Sequence, residues 1–315
     1  MQSTAAVEEE VAMGALLTPS LTSVTIKNIL FATDFSPCSE TALPFAAAMA
    51  RRFGATLFIT HIISPNATPY VPMDSLPAEH DYVRNRAQME LEKLARSAVL
   101  NDIEREALLR QGELWETMAA VVQERQMDLI VAGTHGREGV PKLVLGSVAE
   151  EIFRLAACPV MTVGPHVTID MLPDRKLERI VFATDFSDGS LHALPYAIAL
   201  AAEDKAQLTL LNAIHLDSST AELGVPMDDQ RLVDLAEQRL LALLPPAGTL
   251  AMPADVVAKI GHPKDVIIEV AGERKAHIII MGVHGAPMLA SHNPWTVAHH
   301  VVCHAHCPVL TVRGH

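Results

Sequence analysis

Aromatic residues make up only 4% of this 315-residue chain while 50% is hydrophobic. Its core must therefore be built from Val, Ile, Leu, Ala and Met, the side chains that fill parallel sheets covered by helices. Basic residues are scarce too. Against 37 Asp and Glu there are 24 Lys and Arg, a net charge of −13, which a phosphodiester backbone repels; no nucleic-acid partner is expected. The four cysteines, Cys38, Cys158, Cys303 and Cys307, form no CxxC pair and no secreted framework. They read as small buried hydrophobes in a reducing compartment. The first Lys or Arg is Lys27, behind Glu8, Glu9 and Glu10, so the positive start of a secretory signal is missing. No apolar run approaches the roughly 20 residues of a spanning helix. The expectation is a cytoplasmic protein without membrane contact.

What the sequence does have is a duplication. Phe31–Ser36 (FATDFS) recurs as Phe182–Ser187, and Ala42–Phe45 (ALPF) returns as Ala193–Tyr196 (ALPY), both 151 residues on. Cys158–Val163 (CPVMTV) returns as Cys307–Val312 (CPVLTV), 149 residues on. Two near-equal offsets mean a duplicated domain with a net loss of two residues, too long a period for solenoid repeats. Expected boundaries are a mobile tail at 1–25, a first domain at 26–164, a linker at 165–177 and a second domain at 178–315.

Each half alternates strand and helix. In the first, Asn28–Thr33 is a strand ending at Asp34, Ser36 is an N-cap with Pro37 at the first helical position, and Gly54 closes the helix. Strands follow at Thr56–Ile63, Ile103–Arg110, Leu129–Ala132 and Val160–Val163, with helices over Tyr82–Val99, Trp115–Arg125 and Ser147–Ala156. The second half repeats the plan with strands at Arg179–Thr184, Gln207–Asn212, Asp255–Ile260, His277–Met281 and Pro308–Val312. Right-handed crossovers then give an α/β fold of two doubly wound, Rossmann-like domains, each with a five-stranded parallel sheet in the order 3-2-1-4-5.

The segment Ala132–Val148 (AGTHGREGVPKLVLGSV) has the skeleton Gly-x2-Gly-x9-Gly-Ser, between a buried strand and a helix start. Gly133 and Gly136 let backbone amides approach an anion, and Gly146 and Ser147 stand at a helix opening, where unpaired N–H groups and the dipole favour phosphate. It is neither a Walker A loop nor a dinucleotide fingerprint, which would follow the first strand. Ligands of doubly wound sheets sit at the switch point beyond the strand carboxyl ends. There Asp34 suits ribose or adenine hydrogen bonds while the loop takes phosphates. Taken singly, the glycines also suit a tight loop and Asp34 a turn.

A strand ending in Asp, Gly-x2-Gly-x9-Gly-Ser and a terminal Cys-Pro-Val strand, in two copies over nearly the whole chain, resemble the universal stress protein family. The resemblance implies ATP, alone or with Mg2+, held by Asp34, Ile62, Ala132, Gly133, His135, Gly136, Arg137, Gly146, Ser147 and Val148. It also implies dimerisation through the last strand, either between the two halves as an intramolecular pseudo-dimer or between chains as a homodimer.

The second copy keeps Asp185, Gly282, His284 and Gly285 but has Trp295 and Thr296 for the final Gly-Ser, with Pro287 and Pro294 removing amide donors. Its site is expected to be degenerate. His299, His300, Cys303, His304, His306 and Cys307 could ligate metal at helical spacing. Their counterparts Glu150, Glu151, Arg154, Leu155, Ala157 and Cys158 are ordinary final-helix sequence, so no metal site is expected. No catalytic signature occurs, and no catalytic residue is assigned. The expectation is a non-enzymatic, nucleotide-responsive stress protein, with ordering of Val140–Leu145 on binding as its switch. A scaffold without nucleotide and a slow ATPase using Glu138 stay open.

Overall fold

The computed structural model describes residues 24–65, 76–134, 149, 151–152, 155–168, 176–216, 229–283 and 297–314. Most of the expected tail (1–23) and of the expected linker (169–175) lies outside these residues.

The first strand, β1 (Asn28–Ala32), leads into α1 (Pro37–Phe53). Its start follows the local chemistry: the Ser36 hydroxyl accepts from the Ser39 amide, Pro37 opens the helix, and Gly54 ends it at φ +60°. Then come β2 (Thr56–Ile63), α2 (Leu76–Ala95), a single 3-10 turn (Ala98–Leu100), β3 (Arg105–Gln111), α3 (Leu114–Glu124), β4 (Leu129–Gly133) and β5 (Val160–Val163). The second half runs β6 (Arg179–Ala183), α4 (Asp188–Leu191), α5 (Leu194–Asp204), β7 (Gln207–Ile214), α6 (Asp229–Ala242), β8 (Asp255–Ile260), α7 (Pro263–Glu273), β9 (Ile278–Val283), α8 (Val297–His304) and β10 (Val309–Arg313).

The two halves differ at their first helix. α1 is continuous through Pro44, whereas its counterpart is split into α4 and α5. Gly189 replaces Cys38 in the first turn and weakens it. At the break the Ala193 amide bonds three residues back, to Ser190, just before Pro195.

All ten strands form one sheet in the order β3-β2-β1-β4-β5-β10-β9-β6-β7-β8. Each half is parallel with the order 3-2-1-4-5, and the halves meet where β5 pairs antiparallel with β10 through Val160↔Thr311, Met161↔Leu310 and Thr162↔Val309. The edge strand of one half is thereby covered by that of the other. Because this single pairing is antiparallel, the carboxyl ends of β1 and β4 point to the opposite end of the sheet from those of β6 and β9.

One hydrophobic core runs under α1 and α5 without a break between halves, joining Phe31, Met49 and Met161 to Phe182, Leu194 and Leu310. The other face carries two cores. One lies under α3, with Phe58, Met118 and Ile130; the other lies under α7 and α8, with Val266, Ile279 and Val301. Above the shared core Arg52 pairs bidentately with Asp204, with side chains only 3% and 8% exposed. The expectation that all four cysteines are buried is corrected. Cys303 and Cys307 are, but Cys38, in the first turn of α1, and Cys158, just before β5 at the margin of the core under α3, are only partly so.

Candidate nucleotide site

The switch point of the first half is built by a turn rather than by a glycine run. After β1 the chain passes through Phe35 at φ +61°, a left-handed conformation that costs a bulky residue about 1–3 kcal/mol. Three bonds hold it there. The Phe35 amide donates to Thr33 Oγ1 (3.0 Å), the Ser36 amide donates to Asp34 Oδ1 (3.0 Å), and buried Thr33 and Ser39 share a hydroxyl hydrogen bond at 3.0 Å. His61 on β2 adds a fourth: its Nδ1 lies 2.8 Å from the Thr33 carbonyl oxygen, while its ring lies against Phe35, with centroids 4.3 Å apart.

The second half repeats this turn. Phe186 stands at φ +63°, its amide bonds Thr184 Oγ1 at 2.9 Å, Thr184 and Ser190 share a hydroxyl bond at 2.8 Å, and Asp185 Oδ1 accepts from the Ser187 amide at 3.0 Å. Thr33 and Ser39 were not singled out from sequence, and no hydrogen-bonding role was read for His61. The repeated Thr-Asp-Phe-Ser-x-x-Ser and the polar residue in an apolar β2 and β7 were the available signals.

Of the ten residues assigned by resemblance, Asp34, Ile62, Ala132 and Gly133 are described, and they share the carboxyl ends of β1, β2 and β4. Ala32 is paired with Thr60 on one side and Ala132 on the other, which sets the three strand ends side by side. Ile62 packs on the core under α3, which also takes in the small side chains of Ala32 and Ala132. Asp34 uses Oδ1 for the turn, and no hydrogen bond to its Oδ2 is found among the described residues. His135, Gly136, Arg137, Gly146, Ser147 and Val148 lie outside the described residues, as do His284–Thr296 of the second half.

Gly133 has a reason of its own to be glycine. A Cβ there would meet the Cys38 carbonyl oxygen at 2.7 Å and Ser39 Cα at 3.2 Å, so the residue lets β4 press against the first turn of α1. Gly282 does the same more tightly, with the Gly189 carbonyl oxygen at 2.2 Å and Ser190 Cα at 2.3 Å.

The universal stress protein family description matches residues 25–164 and, a second time, residues 176–313. This chain belongs to the universal stress protein family. Among relatives, it is 33% identical over 140 residues to universal stress protein A homolog 1 of Coxiella burnetii, covering 44% of this chain and 95% of that one. It is 29% identical over 143 residues to universal stress protein MJ0531 of Methanocaldococcus jannaschii, 44% of this chain and 81% of that one. A solved universal stress protein from Archaeoglobus fulgidus superposes over 92% of this chain and 98% of its own at a TM-score of 0.69 and 19% identity. That similarity spans both halves and supports the tandem fold. Within this universal stress protein, no described helix is long and apolar enough to cross a membrane.

Proposed function

We propose that this tandem universal stress protein binds ATP, carried as its Mg2+ complex or free, in its N-terminal half, and acts as a non-enzymatic nucleotide-responsive protein of the cytoplasm. The observation that carries the proposal is the Asp34 carboxylate at the switch point. Its Oδ1 is committed to the turn and its Oδ2 has no hydrogen-bond partner among the described residues. An acceptor so placed fits the ribose hydroxyls or the adenine amino group. In the proposal Ile62 and Ala132 flank the nucleoside and Gly133 fixes the floor. Gly136 lets the loop backbone approach the phosphates, Gly146, Ser147 and Val148 offer them the amide-rich helix opening read from the sequence, and His135 and Arg137 complete the proposed site. ATP brings charge and binding energy; the chain's own residues bind and orient it, and none is assigned a bond-breaking role.

The proposal divides the chain at 26–164 and 178–315 and leaves the second half without phosphates, because Trp295 stands where the first half has Gly146. The edge strand that the family resemblance gives to dimerisation is used between the halves, so a homodimer would need another surface. Equilibrium dialysis with ATP tests the reading. Gly146→Trp, which copies the second half, is expected to abolish retention of ATP by a protein that still melts cooperatively. Undiminished retention would remove the glycine loop from the site.

A further inference from the structure

Where the first half clasps the starts of β1 and β4 with a carboxylate, the second half uses an imidazole. Asp128 Oδ2 accepts from the Lys27 amide at 2.7 Å and from the Asn28 amide at 3.0 Å. The residue 149 positions on is His277, and its Nδ1 stands 2.8 Å from the amide of Glu178, the counterpart of Lys27. The backbone around the two is alike: the Asp128 amide donates to the Asn28 carbonyl at 2.9 Å, and the His277 amide to the Arg179 carbonyl at 2.8 Å. His277 is only 4% exposed, so water has little access to replace a partner it loses.

Both ring nitrogens meet donors. The Glu178 amide faces Nδ1, and Arg179 Nη2 stands 2.9 Å from Nε2. An amide N–H and a guanidinium only donate, while a neutral imidazole has a single nitrogen that accepts. The amide is fixed, since the Glu178 carbonyl accepts from the Gln207 amide of β7. The guanidinium has other partners, the Lys275 carbonyl at 2.8 Å and the Glu178 carboxylate at 3.0 Å, and is partly exposed. Nδ1 therefore keeps the amide and Nε2 carries the hydrogen. A second proton has only Nδ1 to take, against an N–H and beside a cation.

We propose that His277 is an acid-released clasp: a proton on Nδ1 frees the Glu178 amide and loosens the start of β6 from that of β9, while the first half, which uses Asp128 there, keeps its clasp. The surroundings favour the neutral ring. Burial first, and then the charge of Arg179, hold His277 below the ordinary 6.5, against the pull of Glu178. Along the other edge of β9 the Cys307 thiol, at the Ile279 backbone, stays neutral, pushed up to about 12 by burial. Well above pH 6.5 the ring is neutral in folded and unfolded chains alike, and the clasp is complete. As the pH falls from 6.5 toward the lower folded value, the unfolded chain takes up a proton that the folded chain does not. Folding then weakens, by at most about tenfold in its equilibrium constant per pH unit for this one group.

Ring NMR of His277 in the untagged full-length protein, with amide hydrogen exchange, tests the proposal. The ring is expected to titrate below 6.5, with its neutral hydrogen on Nε2. Between about pH 7 and about pH 5 the Glu178 amide should lose protection beyond the intrinsic change in exchange, while the Lys27 and Asn28 amides keep theirs. His277→Asp copies the first half, and His277→Asn keeps an acceptor that does not titrate. Each should show a smaller fall of the urea midpoint over that range than the wild type. Should either variant fail to fold, the wild type's ring titration and amide exchange still decide. A His277 midpoint at or above 6.5, retained protection at Glu178, or a fall of the urea midpoint as large in both variants as in the wild type would overturn the proposal.

Discussion

His61 Nδ1 stands 2.8 Å from the carbonyl oxygen of Thr33, and 151 residues on Asn212 Nδ2 donates to the carbonyl oxygen of Thr184 at the same 2.8 Å. Two different side chains thus hold the same peptide, the one that precedes Asp34 and Asp185. Because a carbonyl accepts, His61 must carry its hydrogen on Nδ1, as the Asn212 amide does by nature. His61→Asn is therefore expected to fold and to keep the Asp34 turn. His61→Leu should cost about 1–3 kcal/mol, leaving a carbonyl unpaired beside a strained Phe35. Urea denaturation of the two variants compares them; equal losses would show that packing on Phe35, not the hydrogen bond, matters.

The glycines that end β4 and β9 predict a graded response. The Cβ of Gly133→Ala would lie 2.7 Å from the Cys38 carbonyl, and that of Gly282→Ala 2.2 Å from the Gly189 carbonyl. Both clashes are with backbone, which cannot swing away. Each should destabilise by about 1–3 kcal/mol, with Gly282→Ala the worse. Melting temperatures in the reverse order would mean that the strand end relaxes more easily than its packing implies.

Arg52 and Asp204 tie the two halves. Asp204 Oδ2 also accepts from the Leu177 amide at 2.6 Å, just before β6. Arg52→Ala would strand a buried carboxylate and is expected to cost about 3–5 kcal/mol, whereas Arg52→Met combined with Asp204→Leu should recover much of that loss. Loss of a single cooperative transition in Arg52→Ala, with the halves melting separately, would identify the pair as the coupling element. An unchanged denaturation curve would rule that out.

Cys158 and Cys307 set a high-pH limit. Burial raises each thiol from 9.0 to about 12, the coulombic effect of Asp128 adding at Cys158. Below pH 9 both folded and unfolded chains hold the proton, and the thiols contribute no pH dependence. Between 9 and 12 the unfolded chain releases protons that the folded chain retains. Stability then falls by up to about 1.4 kcal/mol per pH unit for each thiol. Replacing both with alanine should flatten the decline of unfolding free energy above pH 9; an equal slope in the variant would assign the decline to other groups.

Much of this fold was legible in the sequence because repeated residues carry local rules. Ser36, Pro37 and Gly54 bound α1 as expected, and β2 spans the expected Thr56–Ile63. The third strand was harder to read. Ile103 is apolar, and the strand was expected to begin there, but Ile103 instead packs into the core after the 3-10 turn, and β3 starts at Arg105. The split of α4 from α5 was also hidden, since Pro195 repeats a Pro44 that α1 tolerates. At the site, Asp34 was visible as a strand-ending acid. The role of His61 was not, because it differs from its repeat partner Asn212 in type while matching it in geometry. Gly133 was read for its openness to an anion; that a Cβ there would meet Cys38 depends on a helix-to-strand contact that no local pattern encodes.

Native mass spectrometry of the chain with ATP is the most direct test of the central claim, using Asp34→Asn and Asp185→Asn beside the wild type. Asparagine keeps the Oδ1 that accepts from Ser36 or Ser187 and removes only the charge, so both turns survive. One ATP per wild-type chain is expected, unchanged in Asp185→Asn and weakened at least about tenfold in Asp34→Asn. No bound ATP in the wild type, or loss in Asp185→Asn with retention in Asp34→Asn, would contradict a nucleotide site in the first half.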